Sequence, residues 1–587
     1  MASWTAGYDP HIPPSLAPYP DKTLVDYLRD SASAVPDEPA IFFKGGRLSF
    51  KAWDSLSDRF AEALRSFGVR SGDRVALILP NCPQFLIAEF GAWKAGAAIL
   101  PLNPLYTGEE LIPPLNSAGA RVAVTLTPFY ERLKGVQGRT KIDKIIATNI
   151  KEYLPAALRV LFTLLKEKKE GHRIRLAAGD TWFQDCVKTD VGRGFSHASP
   201  PGHASADSNA VMLLSGGTTG TPKAVVGRHR DLVAAGLQLE AWLTPAPEGP
   251  PNRLRQGYGG PPKPSATAER GRHVPRDIAL LPLPLFHVYA CVGVQSHAVV
   301  CRTPLALVPN PRDLDDLLKT IERVKPTLLS SVPALFIAML NHPRVQARKV
   351  DFSSIRACFS GSAPLLAATK ARFEELSGGR IVEGYSLTEA MMACVVNPLG
   401  GTSKLGSVGL PLPDVEVAIV DPETGERRLP IGETGEILLR GPQLMSGYWD
   451  NPDDTARTLR QHDSGAPWLH TGDLGYLDPD SYLFIVDRQK DLIKTSGYQV
   501  WPREVEEVLA LHPGVMDVGV AGIADDVKGE VVKAWVVRRP GSAPTSDELR
   551  SHCRAALAPY KVPAQIEFRD SLPKTMTGKV LRRALKQ

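Results

Sequence analysis

Residues 214–223, LSGGTTGTPK, combine the residue types that bind a polyphosphate, and they follow the apolar run NAVML. Glycines allow backbone N–H groups to approach phosphate oxygens, hydroxyl groups add donors, and Lys223 adds a positive charge. The segment is not a Walker A loop, because Pro222 precedes the lysine and Ala224 stands where that motif has Ser or Thr. A turn of this composition is more often only a turn, so other motifs must decide. The candidate residues of this loop are Ser215, Gly216, Gly217, Thr218, Thr219, Gly220 and Lys223.

Further motifs follow the loop along the chain. They are LPLFHVYA at 283–290, GSAPL at 361–365, EGYSLTEA at 383–390, TGD at 471–473, DRQKDLIKTSGYQV at 487–500 and PKTMTGKVLRR at 573–583. Together with the loop they resemble the adenylate-forming superfamily, which comprises acyl-CoA synthetases, nonribosomal peptide adenylation domains and beetle luciferases. The resemblance runs from about residue 25 to the last residue given. Several ordered motifs of this length do not arise readily by chance.

The resemblance implies a reaction in which a carboxylate attacks the α-phosphate of ATP and pyrophosphate leaves. Such a site must screen negative charge and align the reactants. By resemblance, Lys579 contacts the carboxylate and the α-phosphate, Glu389 binds Mg²⁺, and Thr388 contacts phosphate. A glutamate suits Mg²⁺, which binds through few carboxylates plus phosphates. Taken alone, a lysine near a chain end is usually solvated, and a Thr-Glu pair commonly begins a helix.

The resemblance also implies a site for the nucleoside. Asp473 and Arg488 match residues that hold the ribose hydroxyls, and a surface ion pair is their alternative interpretation. Tyr385, which follows Gly384, is expected against the adenine ring, although a tyrosine near a strand end is otherwise ordinary core. A backbone wall beside the base is expected at Ser362, Ala363 and Pro364.

His287 matches the histidine that the superfamily places near the acyl substrate and the thiol entry, and a buried structural histidine is its alternative interpretation. Phe286 and Tyr289 are expected to shape the same pocket. Cys291 has no flanking charge that would lower the pKa of its thiol, so we do not expect it to act as a nucleophile. An apolar acyl tunnel would be lined from the regions 285–295, 332–336 and 385–395.

The segment DRQKDLIK resembles a hinge. In the superfamily the C-terminal domain rotates after adenylation, which removes the catalytic lysine and presents another face for thioester formation. By this resemblance Lys490 is the hinge residue, and Lys494, Gly497, Tyr498 and Gln499 serve the second conformation. A plain interdomain linker with solvated lysines is the alternative.

The elements that must position these residues follow from the apolar pattern. Short apolar runs alternate with helical patterns from about residue 50 to 400, which favours parallel sheets covered on both faces. We therefore expect an α/β fold with a large N-terminal domain of layered sheets and helices at 1–487. It should include a small antiparallel unit at about 405–487, and a small mobile α+β domain should follow at 488–587.

Composition excludes several classes of protein. The 587 residues exceed the roughly 150-residue domain size about fourfold, and 43% hydrophobic with 22% charged residues indicates a folded chain. A net charge of +6 fits anionic ligands such as ATP and CoA but gives no nucleic-acid-binding signature. Seven scattered cysteines without a CxxC pair favour a reducing cytoplasm, and we see no signal peptide.

Two segments raise the question of a membrane. Residues 278–301 contain no Asp, Glu, Lys or Arg, but prolines and histidines interrupt them, so we expect a buried strand, a turn and a core helix. Residues 150–175 predict an amphipathic helix followed by a basic cluster, and the leucines concerned are Leu154, Leu158, Leu161 and Leu165. We expect these leucines to lie against the body of the protein, with peripheral contact to the inner membrane face as the alternative. The Pro- and Gly-rich stretch 245–275 receives no function.

We predict a long-chain fatty acid–CoA ligase, because residues 19–32 and the insertion at 150–175 look like those of bacterial enzymes of that type. Its partners would be the fatty acid, ATP with Mg²⁺, and CoA, and a homodimer is left open. A medium-chain or aryl acid–CoA ligase is the enzymatic alternative, and a luciferase-like oxidation is another. A non-catalytic acyl or nucleotide sensor belongs to a different class, and retention of the candidate site residues argues against it.

Overall fold

The computed structural model describes residues 3–188, 204–215, 222–244, 277–363, 365–488, 491–495, 498–525, 528–574 and 580–586. The strands within these residues are β1 (Pro39–Phe43), β2 (Gly46–Ser49), β3 (Arg74–Ile78), β4 (Ala98–Pro101), β5 (Val122–Leu126), β6 (Lys144–Thr148), β7 (Thr181–Trp182), β8 (Asn209–Leu214), β9 (Ala224–Arg228), β10 (Ala279–Leu281), β11 (Leu305–Leu307), β12 (Leu328–Ser331), β13 (Ala357–Ser360), β14 (Arg380–Leu387), β15 (Met392–Val396), β16 (Ser407–Pro411), β17 (Glu416–Val420), β18 (Gly435–Arg440), β19 (Gly447–Tyr448), β20 (Leu459–Arg460), β21 (Trp468–Leu477), β22 (Leu483–Arg488), β23 (Ile493–Thr495), β24 (Tyr498–Val500), β25 (Val515–Asp525), β26 (Gly529–Arg538) and β27 (Gln565–Phe568).

The α-helices in the same residues are α1 (Leu24–Ala34), α2 (Phe50–Ser66), α3 (Pro83–Lys94), α4 (Gly108–Ala118), α5 (Tyr130–Val136), α6 (Ala156–Leu165), α7 (Phe183–Val187), α8 (His229–Leu243), α9 (Gln295–Val300), α10 (Leu314–Val324), α11 (Pro333–Asn341), α12 (Pro343–Gln346), α13 (Ala367–Ser377), α14 (Pro452–Thr458), α15 (Pro502–Ala510), α16 (Ser546–Ala556) and α17 (Arg582–Leu585). A π-helical segment, Tyr289–Val294, runs directly into α9. Single 3₁₀ turns lie at Ser3–Gly7, Thr127–Phe129, Gln137–Arg139, Ile150–Tyr153 and Pro559–Lys561.

The largest sheet has fourteen strands and changes character along its width. Strands β1, β11, β10, β12, β13 and β14 pair in parallel, whereas β15, β16, β22, β21, β18 and β17 continue the same sheet in antiparallel pairing. The antiparallel segments expected from residue 405 onward therefore extend the main sheet and do not form a sheet of their own. This continuity places β21 and β22 within reach of the carboxyl ends of β13 and β14.

The second sheet has eight strands in the order β19-β9-β8-β4-β3-β5-β6-β7. The last six strands in this order pair in parallel with their neighbours. All five residues of β5 are buried, as expected for a parallel strand covered on both faces. Helix α3 is buried at all twelve positions, which explains its apolar sequence PQFLIAEFGAWK. It lies between the sheets and carries the buried Glu89.

The third sheet consists of β24, β23, β26 and β25, with β27 pairing in parallel to β26. It has a separate apolar core that includes Val505, Leu549 and Val536. Mixed parallel and antiparallel sheets with helices confirm the predicted α/β class. The division of the chain at 487 and 488 stays a prediction.

The apolar run at 278–301 folds as expected. It forms strand β10, a turn, the π-helical segment and α9, and 18 of its 24 residues are buried. No helix in the described ranges combines the length and apolarity that crossing a bilayer requires. The stretch 245–275 lies outside the described residues.

The expectation for the leucines of 150–175 is wrong in its main part. Leu154 is half-buried against the core, but α6 buries none of its ten residues. Leu158, Leu161 and Leu165 are 41%, 50% and 65% exposed. The physical reason is the orientation of α6, because Phe162 and Thr163 are its half-buried residues and the three leucines lie outside that side.

Candidate active site

The predicted site residues lie where parallel strands end. Strand β13 leads into Gly361, Ser362 and Ala363, and β14 ends just before Thr388 and Glu389. Because β13 and β14 pair in parallel, their carboxyl ends meet at one edge of the sheet. Ligands of open α/β sheets bind at such an edge.

Asp473 links Tyr385 to Arg488. In the antiparallel pair β21 and β22, Asp473 stands directly opposite Arg488, and its Oδ1 accepts from Arg488 Nε at 2.9 Å. Its Oδ2 accepts from the Tyr385 hydroxyl at 2.6 Å. Burial and the neighbouring Asp473 raise the pKa of Tyr385 well above its usual range, so the phenol stays a donor. Three residues predicted to bind the nucleoside thus form one buried polar cluster.

Glu389 and Lys223 contact two residues that sequence reasoning missed. Tyr448 donates from its hydroxyl to Glu389 Oε1 at 3.0 Å, and Lys223 Nζ lies 4.9 Å from the centre of the Tyr448 ring. Lys223 also pairs with Asp454 at 2.8 Å. The segment GYWDNPDD, from Gly447 onward, carries both missed residues, and its Asn451 caps α14. That cap was the only local signal in the sequence.

The predicted phosphate loop lies between the antiparallel strands β8 and β9. Ser215 donates its backbone N–H to the carbonyl of Lys223 at 2.8 Å, while Leu214 pairs with Ala224. Gly216, Gly217, Thr218, Thr219 and Gly220 lie outside the described residues. Ala224 is a buried strand residue without a positive φ, so the backbone there accommodates its methyl group without strain.

The predicted base wall has an unusual backbone. Ser362 has a φ of 70°, a left-handed conformation that is uncommon outside glycine and often marks a functional site. A hydrogen bond ties the segment after the wall to β14, because Leu365 N–H donates to Glu383 Oε1 at 3.0 Å. Gly384 lies close to β15, since an added Cβ would come within 3.1 Å of the Val395 carbonyl oxygen. Pro364 lies outside the described residues.

His287 is held as a neutral imidazole. Its Nδ1 accepts from the backbone N–H of Tyr289 at 3.3 Å, and desolvation lowers the pKa of the ring to about 4. The acceptor role of Nδ1 places the ring proton on Nε2. A neutral Nε2–H can donate a hydrogen bond to a carboxylate or carbonyl oxygen.

An apolar cavity of about 40 Å³ lies beside the π-helical segment that follows His287. Tyr289, Gly293 and Met392 line it, and Gly361 and Gly384 border it on the side of the predicted base wall. Met392 is held at a φ of 118°, and its Sδ would lie 2.5 Å from a Cβ added to Gly293. The cavity therefore ends against flexible side chains, of which methionine adapts most readily.

Cys291 and Glu89 lie behind the cavity. Glu89 accepts from Gln295 Nε2 at 2.6 Å and from the Cys291 thiol at 3.7 Å. Burial raises the pKa of Glu89 to about 8, and burial together with Glu89 raises the pKa of the Cys291 thiol well above its usual range. Cys291 therefore remains a thiol and is a poor nucleophile, in agreement with the sequence interpretation.

The residues after the predicted hinge are only partly described. Lys494 is exposed on β23, where its backbone N–H donates to Glu530 Oε2 at 2.9 Å. The ring of Tyr498 stacks on Tyr560 at 4.4 Å between centroids. Lys490, Gly497 and the catalytic candidate Lys579 lie outside the described residues, as does the side chain of Gln499.

Arg582 is a further residue that sequence reasoning missed. Its guanidinium contacts Asp487 Oδ1 at 2.8 Å, Asp491 Oδ2 at 2.9 Å and Glu506 Oε2 at 2.8 Å. The backbone N–H of Arg503 donates to the other oxygen of Asp487. These contacts fix the chain immediately before and after the predicted hinge. The only sequence feature that could have indicated them is the basic end of PKTMTGKVLRR, to which Arg582 belongs.

The donor set fits a magnesium ion held mainly by phosphates. Glu389 Oε1 accepts from Tyr448, which leaves Oε2 without a protein donor among the described residues. Those residues contain no group of three or more His, Cys, Asp and Glu side chains arranged to hold a metal. A single carboxylate oxygen combined with phosphate oxygens and water is a usual Mg²⁺ environment.

Comparison with known proteins agrees with this geometry. The family model described as AMP-binding enzyme matches residues 28–449, and the AMP-binding enzyme C-terminal domain matches residues 504–579. A long-chain-fatty-acid–CoA ligase of Bacillus subtilis (strain 168) is 38% identical, covering 99% of this chain and 97% of its own. The 4-coumarate–CoA ligase 2 of Oryza sativa subsp. japonica is 32% identical, covering 96% and 92%.

A solved structure agrees as well. ATP-bound MatB from Rhodopseudomonas palustris superposes with a TM-score of 0.76 at 26% identity, covering 97% of this chain and 98% of that one. The resemblance drawn from the motifs is thereby confirmed over nearly the whole chain. The chain belongs to the AMP-binding enzyme family, and it is an AMP-forming acyl-CoA synthetase.

Proposed function

We propose that this acyl-CoA synthetase activates long-chain fatty acids and transfers them to CoA. The observation that carries the proposal is the apolar cavity between Tyr289 and Met392, because it adjoins the predicted nucleotide wall and most of its lining is apolar. The 38% identity to a relative named long-chain-fatty-acid–CoA ligase supports the same substrate class.

The first half-reaction joins the acid to AMP. A carboxylate oxygen bonds to the α-phosphorus while the bond to the pyrophosphate oxygen breaks, so the acyl-adenylate forms and pyrophosphate leaves. Asp473 accepts from the ribose hydroxyls and Lys223 attracts the phosphates. Lys579 adds charge between the carboxylate and the α-phosphate, where negative charge must be screened. The Nε2–H of His287 orients the carboxylate.

The second half-reaction joins the acyl group to CoA. The CoA sulfur attacks the carbonyl carbon of the acyl-adenylate, the thiol proton passes to solvent water, and AMP leaves with the electron pair of the broken carbon–oxygen bond. Lys490 is the hinge about which the C-terminal domain turns, and Lys494 and Tyr498 belong to the face presented for this step. Arg582 fixes the chain on both sides of that hinge.

Glu389 would hold Mg²⁺ through its free oxygen. The ion supplies charge neutralisation of the ATP phosphates when it is bound. Tyr448 orients the carboxylate of Glu389, and Asp454 holds Lys223 beside it. The seven cysteines all lie in the described residues as free thiols, which supports activity in the cytoplasm.

A synthetase for aryl or medium-chain acids is the second candidate. The cavity measures about 40 Å³, well below the roughly 300–1,000 Å³ of sites that enclose drug-sized ligands. A long acyl chain would have to displace side chains such as Met392, whereas a shorter acid would displace fewer. The relationship to the 4-coumarate–CoA ligase 2 of rice points in the same direction.

A panel of carboxylic acids separates these candidates. Pyrophosphate release is measured with palmitate, octanoate, 4-coumarate and benzoate, and we expect the highest kcat/KM for palmitate. Gly293→Ala should lower kcat/KM for palmitate more than for octanoate, because its Cβ would meet Met392 Sδ. Gly138→Ala is the control, since no atom lies within 4 Å of an added Cβ there. The long-chain proposal fails if 4-coumarate or benzoate gives the highest kcat/KM.

A further inference from the structure

Helix α6 exposes a continuous apolar side on the protein surface. None of its ten residues is buried. Five of its large apolar side chains are exposed, and these are Leu158 at 41%, Val160 at 60%, Leu161 at 50%, Leu164 at 76% and Leu165 at 65%. Exposed apolar residues are normally scattered singly, so five in ten residues mark a surface that another body covers.

One narrow side of α6 faces the protein. Phe162 and Thr163 are the two half-buried residues of the helix, with the Phe162 ring 5.2 Å from the ring of His172 and the Thr163 hydroxyl accepting from Lys151 Nζ at 3.2 Å. Arg159 stays exposed and donates to the Glu152 carbonyl at 2.7 Å. Surface helices of globular proteins usually turn their apolar stripe inward. In α6 the leucines instead remain exposed, and they are available to an external partner.

The segment after α6 supplies the complementary charge. Residues 150–175 contain seven Lys and Arg against three Glu. Glu167 is neutralised by Lys151 at 2.6 Å, and Glu170 lies 3.3 Å from Lys166. Apart from Arg159, which donates to the Glu152 carbonyl, the remaining cations make no ion pair with any residue that the structure describes, and they are Lys168, Lys169, Arg173 and Arg175. All four are exposed.

We infer that α6 and the basic segment 166–175, together called the docking helix, attach this protein to an anionic lipid surface. An exposed leucine side flanked by unpaired cations is the pattern of interfacial helices, in which the apolar side enters the acyl region and the cations meet the headgroups. The ten residues of α6 span about 15 Å, half of the hydrocarbon thickness, so the helix lies in the interface plane and does not cross it. This inference does not depend on the acid that the enzyme activates.

Co-sedimentation of the full-length protein with vesicles tests the docking helix. The wild type should bind vesicles of phosphatidylglycerol and phosphatidylcholine and should bind phosphatidylcholine alone at least tenfold more weakly. Lys168→Glu combined with Lys169→Glu should lower the affinity for the anionic vesicles at least tenfold. Leu161→Gln, Leu164→Gln and Leu165→Gln together should do the same, because these leucines no longer enter the lipid.

A matched variant controls for the loss of exposed leucines as such. Leu405 and Leu511 are 73% and 75% exposed elsewhere on the surface, so Leu405→Gln with Leu511→Gln should bind like the wild type. The inference is overturned if the wild type ignores anionic vesicles or if the leucine variant binds as the wild type does. It is equally overturned if the wild type is a dimer in solution and the leucine variant is a monomer, because a second copy then covers α6. Unchanged pyrophosphate release with octanoate in solution shows that each variant is folded.

Discussion

At the scale of single residues, Asp473 links two other residues of the predicted nucleotide site. Its two oxygens accept from Arg488 and Tyr385, and it is only 4% exposed. Asp473→Asn removes the charge and one acceptor, and hydrogen bonds to charged groups contribute about 1.5–3 kcal/mol each. We expect the KM for ATP to rise at least tenfold while the KM for the acid changes little, as measured by steady-state kinetics.

Tyr385→Phe is the companion variant, because it removes the phenol donor but keeps the carboxylate. Its effect on the KM for ATP should be smaller than that of Asp473→Asn. An unchanged KM for ATP in Asp473→Asn would remove Asp473 from the ribose site.

Lys579 can be tested through the two half-reactions separately. Lys579→Ala should abolish formation of the acyl-adenylate, because the charge between the carboxylate and the α-phosphate is lost. Thioester formation from a supplied acyl-adenylate should remain largely intact, because the superfamily moves this lysine away for the second step. Pyrophosphate exchange measures the first step and acyl-CoA release measures the second. Equal loss of both would contradict the role assigned to Lys579.

At the scale of elements, Glu89 joins α3 to the π-helical segment and α9. Its pKa is about 8 in the folded protein because burial disfavours the charge, against about 4.5 in an unfolded chain. Between pH 4.5 and 8 the folded state therefore keeps a proton that the unfolded state has lost. The stability that this proton contributes is complete below about pH 4.5 and is lost as the pH rises through 8, at about 1.4 kcal/mol per pH unit.

Glu89→Gln should remove this pH dependence while keeping the shape of the side chain. We expect the free energy of unfolding of the variant to increase relative to that of the wild type as the pH rises from 5 to 8, by up to about 4 kcal/mol. Thermal melts across this range measure the change, and Glu62→Gln, an exposed site on neighbouring α2, is the control. A constant difference between Glu89→Gln and the wild type at pH 5 and pH 8 would show that Glu89 is not protonated in the fold.

At the scale of the whole molecule, the sequence predicted the chemistry better than the packing. TGD and DRQKD led to Asp473 and Arg488, which the structure brings together on β21 and β22. Tyr448 and Asp454 were missed, since their contacts with Glu389 and Lys223 arise from strand pairing between β19 and β9, which no local pattern encodes. The leucine period of α6 was visible, but periodicity gives the width of an apolar face and not the direction in which it points.

Arg582 joins β22 to α15, because its side chain is 17% exposed and meets Asp487, Asp491 and Glu506. Removing one partner of this largely buried cluster leaves uncompensated charges, and the loss approaches the about 3–5 kcal/mol of a fully buried pair. Arg582→Gln should therefore loosen the chain around residue 490 and increase limited proteolysis there. Arg121→Gln, which loses an ion pair between two side chains that are each 59% exposed, should cleave like the wild type. Equal cleavage of Arg582→Gln and the wild type would mean that Arg582 does not restrain the hinge, because an open segment is cut in proportion to its population.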